Sequence, residues 1–235
     1  MSDHTAARNL DFAELQIRDH KMGSQSIVYT TIEGVRVSIA NETGSGHSGI
    51  KTHSIREAIK LIVKKGFQLP DLDFRLASST DVENVAFMAG AGGKRKATVF
   101  LGGKYWSGGK ATGREGVAGQ VYDGTQIWFG NPKQKAQGVA IVVHELGHVL
   151  HEISAPDIFW SNKTLKTGAV GNPNPSVWGG AAVKVSQYSA VGQMTCLEFV
   201  AEAFAGAVMG KKYDAEVKKA YAACGGPETS SLWKN

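Results

Sequence analysis

One short motif, HELGH at residues 144–148, constrains the fold of this 235-residue chain more than any other feature. It lies within VAIVVHELGHVLHEI, where apolar residues recur every three or four positions, namely Val139, Val142, Val143, Leu146, Leu150 and Ile153. This spacing predicts an amphipathic helix over residues 132–154, with Asn131 as its N-cap. Because His144 and His148 are one helical turn apart, both imidazoles project from the same side of that helix.

Two imidazoles at this spacing can bind one metal ion, and HExxH is a ligand pattern for zinc. Glu145 projects about 100° round the helix from His144, so it can accept a proton from a water that zinc has activated. The alternative is a coincidental pair of exposed histidines on a core helix. We predict a Zn²⁺ site with His144 and His148 as ligands and Glu145 as the catalytic base.

A catalytic zinc ion needs a third protein ligand and an open fourth position. The segment TCLEFVAEAFAGAVMG predicts a second helix, in which Glu198 and Glu202 lie one turn apart beside an apolar face. One carboxylate can bind the ion while the other accepts a hydrogen bond from a ligand histidine. We predict Glu198 as the ligand. Thr195 and Glu198 also match a capping box, however, and if Glu198 caps the helix, Glu202 is the substitute ligand.

His151 follows the motif on the same side of the helix, but it lies about 10.5 Å of helix rise from His144. That distance is too long for both residues to hold one ion. In metzincins this position is a glycine that turns the chain towards a later histidine, whereas here the later position is Ser154. We predict that His151 lines the cleft or supports the metal ligands from outside, with a merely solvated side chain as the alternative.

Strands and helices mix along the chain in an order that predicts an α+β fold. Residues 1–24 are polar and without a clear period, and they are predicted to form an N-terminal tail. The alternation in SIVYTTIEGVRVSI, which begins at Ser26, predicts a β-hairpin around Glu33 and Gly34. Further strands are predicted near residues 72–75, 98–101 and 126–129.

The remaining segments carry weaker patterns. A helix over residues 54–65 is predicted to begin after a Ser54 cap, and a short helix is predicted over residues 213–223, before a frayed C-terminal tail. Residues 154–193 are rich in Gly, Asn, Pro and Ser, and they are predicted to form a long loop that acts as a wall or lid of a cleft.

Charge and composition exclude several classes of protein. The 26 Lys and Arg residues against 21 Asp and Glu give a net charge of +5, a mild excess that predicts no nucleic-acid partner. The sequence contains no run of about 20 apolar residues, so no membrane span is predicted. The N-terminus lacks a secretory signal, so a cytoplasmic location is the default, with secretion by a signal-independent route as the alternative. The two cysteines, Cys196 and Cys224, are too few for a disulfide framework.

HELGH followed at a distance by EFVAEAFA resembles the gluzincin-type zinc metallopeptidases, in particular the anthrax lethal factor-like catalytic domains and related bacterial toxin and effector peptidases. The resemblance covers roughly residues 135–210. It implies that Glu198 is the third zinc ligand and that Glu202 supports the site. It also implies a tyrosine shortly before the ligand glutamate, whose hydroxyl stabilises the oxyanion. Tyr188 is the candidate, with a buried aromatic as the alternative.

Together these patterns predict a single zincin-like metallopeptidase domain over residues 25–235, in which a small, mostly antiparallel sheet packs on the active-site helix and on the glutamate-bearing helix. The predicted activity is hydrolysis of peptide bonds by a bacterial toxin or secreted effector. Its substrate would be a protein or peptide, and an immunity or delivery protein is a further candidate partner. Two alternatives stay open: a non-catalytic, metal-stabilised module whose basic surface binds a partner, and a zinc amidase that acts on a cell-wall amide.

Overall fold

The computed structural model describes residues 26–41, 48–76, 86–88, 97–101, 133–163, 175–191 and 196–234. The strands in these ranges are β1 (Ser26–Ile32), β2 (Val35–Asn41), β3 (Leu72–Leu76), β4 (Ala86–Met88) and β5 (Ala97–Leu101). The helices in the same ranges are α1 (Ser48–Lys64), α2 (Lys133–Ser154), α3 (Pro156–Lys163), α4 (Pro175–Val185), α5 (Gln187–Val191), α6 (Cys196–Val208) and α7 (Ala215–Ala223). None of these helices combines the length and the apolar character that a membrane crossing requires.

The described residues therefore form an α+β fold with a small sheet, as the order of the predicted elements indicated. The predicted tail over residues 1–24 and the predicted strand near residues 126–129 lie outside the described residues.

The predicted hairpin is present. β1 and β2 pair antiparallel, with Ile32 opposite Val35 across a two-residue turn. Glu33 and Gly34 both have positive φ, at 49° and 82°. A two-residue hairpin turn with positive φ at both positions has the backbone twist that matches the twist of the paired strands.

The sheet is mixed, so the prediction of a mostly antiparallel sheet was wrong. Its strand order is β1-β2-β3-β5-β4, in which β1 with β2 and β4 with β5 are antiparallel, whereas β2 with β3 and β3 with β5 are parallel. Helix α1 joins β2 to β3. Such a helical crossover returns the chain to the end of the sheet at which β2 began, so β3 runs parallel to β2. The alternation of apolar and polar residues within one strand does not indicate the direction in which the neighbouring strand runs.

Helix α1 buries the predicted apolar face, which consists of Ile55, Ala58, Ile59 and Ile62. The helix begins at Ser48, however, and Ser54 is fully buried within it, so the predicted cap at Ser54 was wrong. After Lys64 the chain turns at Gly66, which has φ of 83°. Glycine reaches this left-handed conformation without steric cost and is therefore favoured just after the end of a helix.

Helix α2 packs against α1 and against α6. A Cβ built on Gly147 would lie 2.9 Å from Cδ1 of Phe204 and 3.5 Å from Cα of Ala201. The missing side chain thus lets α6 approach α2 closely within the HELGH motif itself. This close approach positions the two helices that carry the predicted metal ligands.

The prediction that residues 154–193 form one long loop was wrong, because this range includes α3, α4 and α5. In α4 the buried residues follow the helical spacing i, i+3, i+4 and i+7, namely Trp178, Ala181, Ala182 and Val185. Trp178 stacks on Phe199 of α6, with ring centroids 6.1 Å apart. The apolar period was present in the sequence, but the surrounding glycines and prolines favoured a loop interpretation.

The C-terminal tail is not frayed, so that prediction was also wrong. Helix α7 begins after Asp214, whose carboxylate accepts a 2.9 Å hydrogen bond from the backbone N–H of Val217. Beyond it, the hydroxyl of Thr229 donates to the carbonyl of Lys65 at 2.6 Å. Leu232 is buried, and the ring of Trp233 lies 5.1 Å from the ring of Tyr221. These contacts anchor the tail beside the end of α1.

Candidate metal centre

Three predicted ligands converge between α2 and α6. Nε2 of His144 lies 3.1 Å from Oε2 of Glu198, and Nε2 of His148 lies 3.6 Å from Oε1 of the same carboxylate. One donor atom from each of the three residues lies within 4.8 Å of the other two. The two imidazole rings meet edge to face, with centroids 4.9 Å apart. In the described part of the chain these residues could hold a metal ion.

The spacing of the donors fits a single ion. Two ligand atoms about 2.1 Å from a tetrahedral ion lie roughly 3.4 Å apart, and the two nitrogen-to-oxygen distances bracket that value. Oε2 of Glu198 is buried and satisfies no hydrogen bond among the described residues, although Nε2 of His144 lies 3.1 Å away. A buried carboxylate oxygen without a hydrogen bond is costly unless a cation satisfies it.

The charges at the site also suit a cation. Burial alone would lower the pKa of His144, but Glu198 and Glu202 raise it well above the ordinary 6.5. Burial alone would raise the pKa of Glu198, but His148 and His144 hold it below the ordinary 4.5. The carboxylates therefore favour positive charge beside the imidazole of His144, and a bound metal ion can supply that charge.

Glu202 lies behind His144, away from the converging donors. Its Oε1 accepts a 2.8 Å hydrogen bond from Nδ1–H of His144, and only 4% of the residue is exposed. With the proton on Nδ1, the lone pair of Nε2 is free to face a metal ion. Thr195, on which the capping-box alternative depends, lies outside the described residues.

Two serines extend this network, and neither was among the residues predicted from the sequence. Oε2 of Glu202 accepts a 2.7 Å hydrogen bond from the hydroxyl of Ser186, which lies between α4 and α5. The same hydroxyl oxygen accepts a 3.0 Å bond from the backbone N–H of Ser189. The S-x-x-S spacing could have indicated an N-cap, but nothing local indicates a contact with a glutamate sixteen residues later.

Tyr188 lies on α5 beside the site, with its ring 6.1 Å from that of His144. The residue is 42% exposed, so the alternative of a buried aromatic was wrong. The negative charge of Glu198, then partial burial and the charge of Glu145, raise the pKa of Tyr188 above its ordinary 10. The hydroxyl therefore keeps its proton at neutral pH and can donate a hydrogen bond.

Glu145 is 7% exposed, and its negative charge is close enough to the Tyr188 hydroxyl to contribute to the raised pKa of that group. It is not one of the three donors that converge. The structure thus brings a buried carboxylate and a partly exposed hydroxyl to the neighbourhood of the candidate metal ligands.

The structure does not bring His151 to the metal donors. The residue is fully buried, its Nε2–H donates a 2.8 Å hydrogen bond to the carbonyl of Cys224, and its ring packs edge to face on Phe159. Burial lowers the pKa of His151 to about 4, so the ring is neutral near pH 7. The predicted place in a cleft and the solvated alternative are both wrong, since this histidine joins α2 to the C-terminal segment.

Comparisons with protein-family models, with curated proteins and with solved structures found no match to this chain. A functional interpretation therefore depends on the side chains of this site and on the helices that position them.

Proposed function

We propose that this protein is a zinc-dependent metallopeptidase. The observation that carries the proposal is the convergence of His144, His148 and Glu198 within 4.8 Å, with the buried Glu145 next in sequence to the first ligand. Two imidazoles and one carboxylate are a common ligand set for catalytic zinc, and this set leaves a coordination position open. A bound zinc ion would supply Lewis-acid chemistry, polarising the substrate carbonyl and lowering the pKa of water to about 7.

The side chains of the chain would perform the remaining steps. Glu145 would accept a proton from the attacking water and pass it to the amine that leaves the peptide bond. Tyr188 would donate a hydrogen bond to the carbonyl oxygen as negative charge develops there. Glu202 would keep Nε2 of His144 directed at the ion.

The proposal extends to the zincin-like fold of the gluzincins. It is supported by two packed helices, of which α2 carries HELGH and α6 carries Glu198 and Glu202. We further propose that the substrate is a protein or peptide and that the biological role is that of a bacterial toxin or secreted effector. These last two points depend on the resemblance of the two motifs.

The test is the isosteric variant Glu145→Gln, measured for zinc content and for cleavage of a mixture of unfolded proteins. We expect one zinc ion per chain in both wild type and variant, and loss of cleavage by about 100-fold or more in the variant. Glu57→Gln is the matched control, because Glu57 lies on α1 in a surface ion pair with Lys60. A zinc-loaded wild type that cleaves nothing, or a variant as active as the wild type, would contradict the proposal.

A further inference from the structure

The buried turn between α4 and α5 contacts the candidate metal centre from behind. Ser186 is 2% exposed and Ser189 is fully buried. The hydroxyl of Ser186 donates to Oε2 of Glu202 at 2.7 Å, while that of Ser189 donates to the carbonyl of Ala182 at 2.6 Å. Each hydroxyl has one proton, so this assignment uses both protons in short bonds.

These contacts form a continuous chain from the turn to the metal-facing nitrogen. Ser186 bonds one oxygen of Glu202, and the other oxygen accepts from Nδ1–H of His144. Each of the two carboxylate oxygens of the buried Glu202 thus accepts one of these hydrogen bonds. Hydrogen bonds to an ionised carboxylate are shorter and stronger than bonds between neutral groups, so they can fix the orientation of its plane.

The same serine also begins the helix that carries Tyr188. The oxygen of Ser186 accepts the backbone N–H of Ser189, which is the N-cap arrangement for α5. Tyr188 lies two residues after this cap, beside the ring of His144. One hydroxyl therefore contacts both the group behind the ligand histidine and the helix that places the tyrosine.

We propose that Ser186 is a positioning residue of the metal centre, which orients Glu202 and through it His144, and which places Tyr188 by capping α5. This inference rests on the proposed metal site. A serine that only capped α5 would have no effect on the geometry of the ion, so the two roles can be separated by measurements on the metal itself.

The experiment compares Ser186→Ala, Ser186→Thr and Ser189→Ala by zinc competition with a chelator and by the visible absorption spectrum of the cobalt-substituted protein. Ser189→Ala is the control from the same turn: its buried hydroxyl donates to the carbonyl of Ala182 and accepts the backbone N–H of Ser186, whereas the Ser186–Glu202 bond is made by the other hydroxyl. We expect Ser186→Ala to weaken zinc binding roughly 10- to 100-fold and to change the cobalt spectrum. Ser186→Thr, which keeps the hydroxyl, should restore both, and Ser189→Ala should leave the cobalt spectrum unchanged.

Wild-type zinc affinity and an unchanged cobalt spectrum in Ser186→Ala would overturn the inference, as would an equal change in Ser189→Ala. If Ser186→Ala does not fold, Ser186→Cys gives the same comparison, because the thiol fills the position of the hydroxyl but is a weak donor. A wild type that binds zinc without cleaving protein would contradict the proposed peptidase, while the affinity and the spectrum would still test Ser186. A wild type that binds no zinc would overturn both.

Discussion

Gly147, inside the HELGH motif, offers a stringent test of how the two site helices pack. A Cβ at this position would meet Cδ1 of Phe204 at 2.9 Å, which is closer than such atoms normally approach. Phe204 is fully buried, with its ring edge to face on Phe67 at 5.2 Å, so it cannot turn away without displacing a second ring. Gly147→Ala should therefore push α6 away from α2.

The size of the effect follows from two opposing contributions. Overpacking a core by one methyl group costs about 1–3 kcal/mol. Alanine in place of glycine in a helix interior returns about 1 kcal/mol. The free energy of unfolding of Gly147→Ala should thus fall by about 0–2 kcal/mol, and zinc affinity should fall too, because Glu198 moves with α6.

Urea unfolding of the metal-free protein measures the first effect, and competition with a chelator measures the second. Gly179→Ala in α4 is the matched control, since a Cβ there meets nothing within 4 Å. That variant should be stabilised by up to about 1 kcal/mol without any change in zinc affinity. If Gly147→Ala is stabilised as much as Gly179→Ala and binds zinc like the wild type, the packing argument is wrong.

Two further predictions concern groups outside the metal centre. Cys196 and Cys224 are both buried and form no disulfide, and their mutual hydrogen bond, then burial, raise the pKa of Cys224, so a thiol reagent should label neither until the protein unfolds. Rapid labelling of the native protein would contradict this. His151 has a native pKa of about 4, below its ordinary 6.5, so its unfolded form binds the extra proton and its contribution to stability is lost as pH falls from 6.5 to 4. That contribution reaches about 3 kcal/mol. The free energy of unfolding, measured from pH 6.5 to pH 4, should therefore change less with pH in His151→Gln than in the wild type. An identical pH dependence in the two proteins would contradict this prediction.

The sequence predicted well those features that depend on local spacing. The apolar face of α2 from Val139 to Leu150, the buried face of α1 and the turn at Glu33 and Gly34 all follow from residues close together in the chain. Ile153, predicted to continue that face, is 51% exposed at the end of α2, so that part of the prediction was wrong. The predicted donors His144, His148 and Glu198 do come together, because the two histidines share a turn and Glu198 lies beside an apolar face that must pack on something.

The features that the sequence did not predict depend on tertiary contacts. Parallel pairing of β2 with β3 requires knowledge of the crossover through α1. The contact of Ser186 with Glu202 joins two elements whose relative position no local pattern contains. His151 shares a helical stripe with the ligand histidines, yet it packs against Cys224, because the C-terminal segment covers it there.

The central claim is that two imidazoles and one carboxylate hold a metal ion between α2 and α6. The most direct measurement is an anomalous-scattering map, recorded at the zinc absorption edge, of crystals grown with zinc. The account predicts a single peak about 2.0–2.2 Å from Nε2 of His144, Nε2 of His148 and a carboxylate oxygen of Glu198, with no fourth protein ligand. The absence of a peak between these three side chains, or a fourth protein donor in the open position, would contradict it.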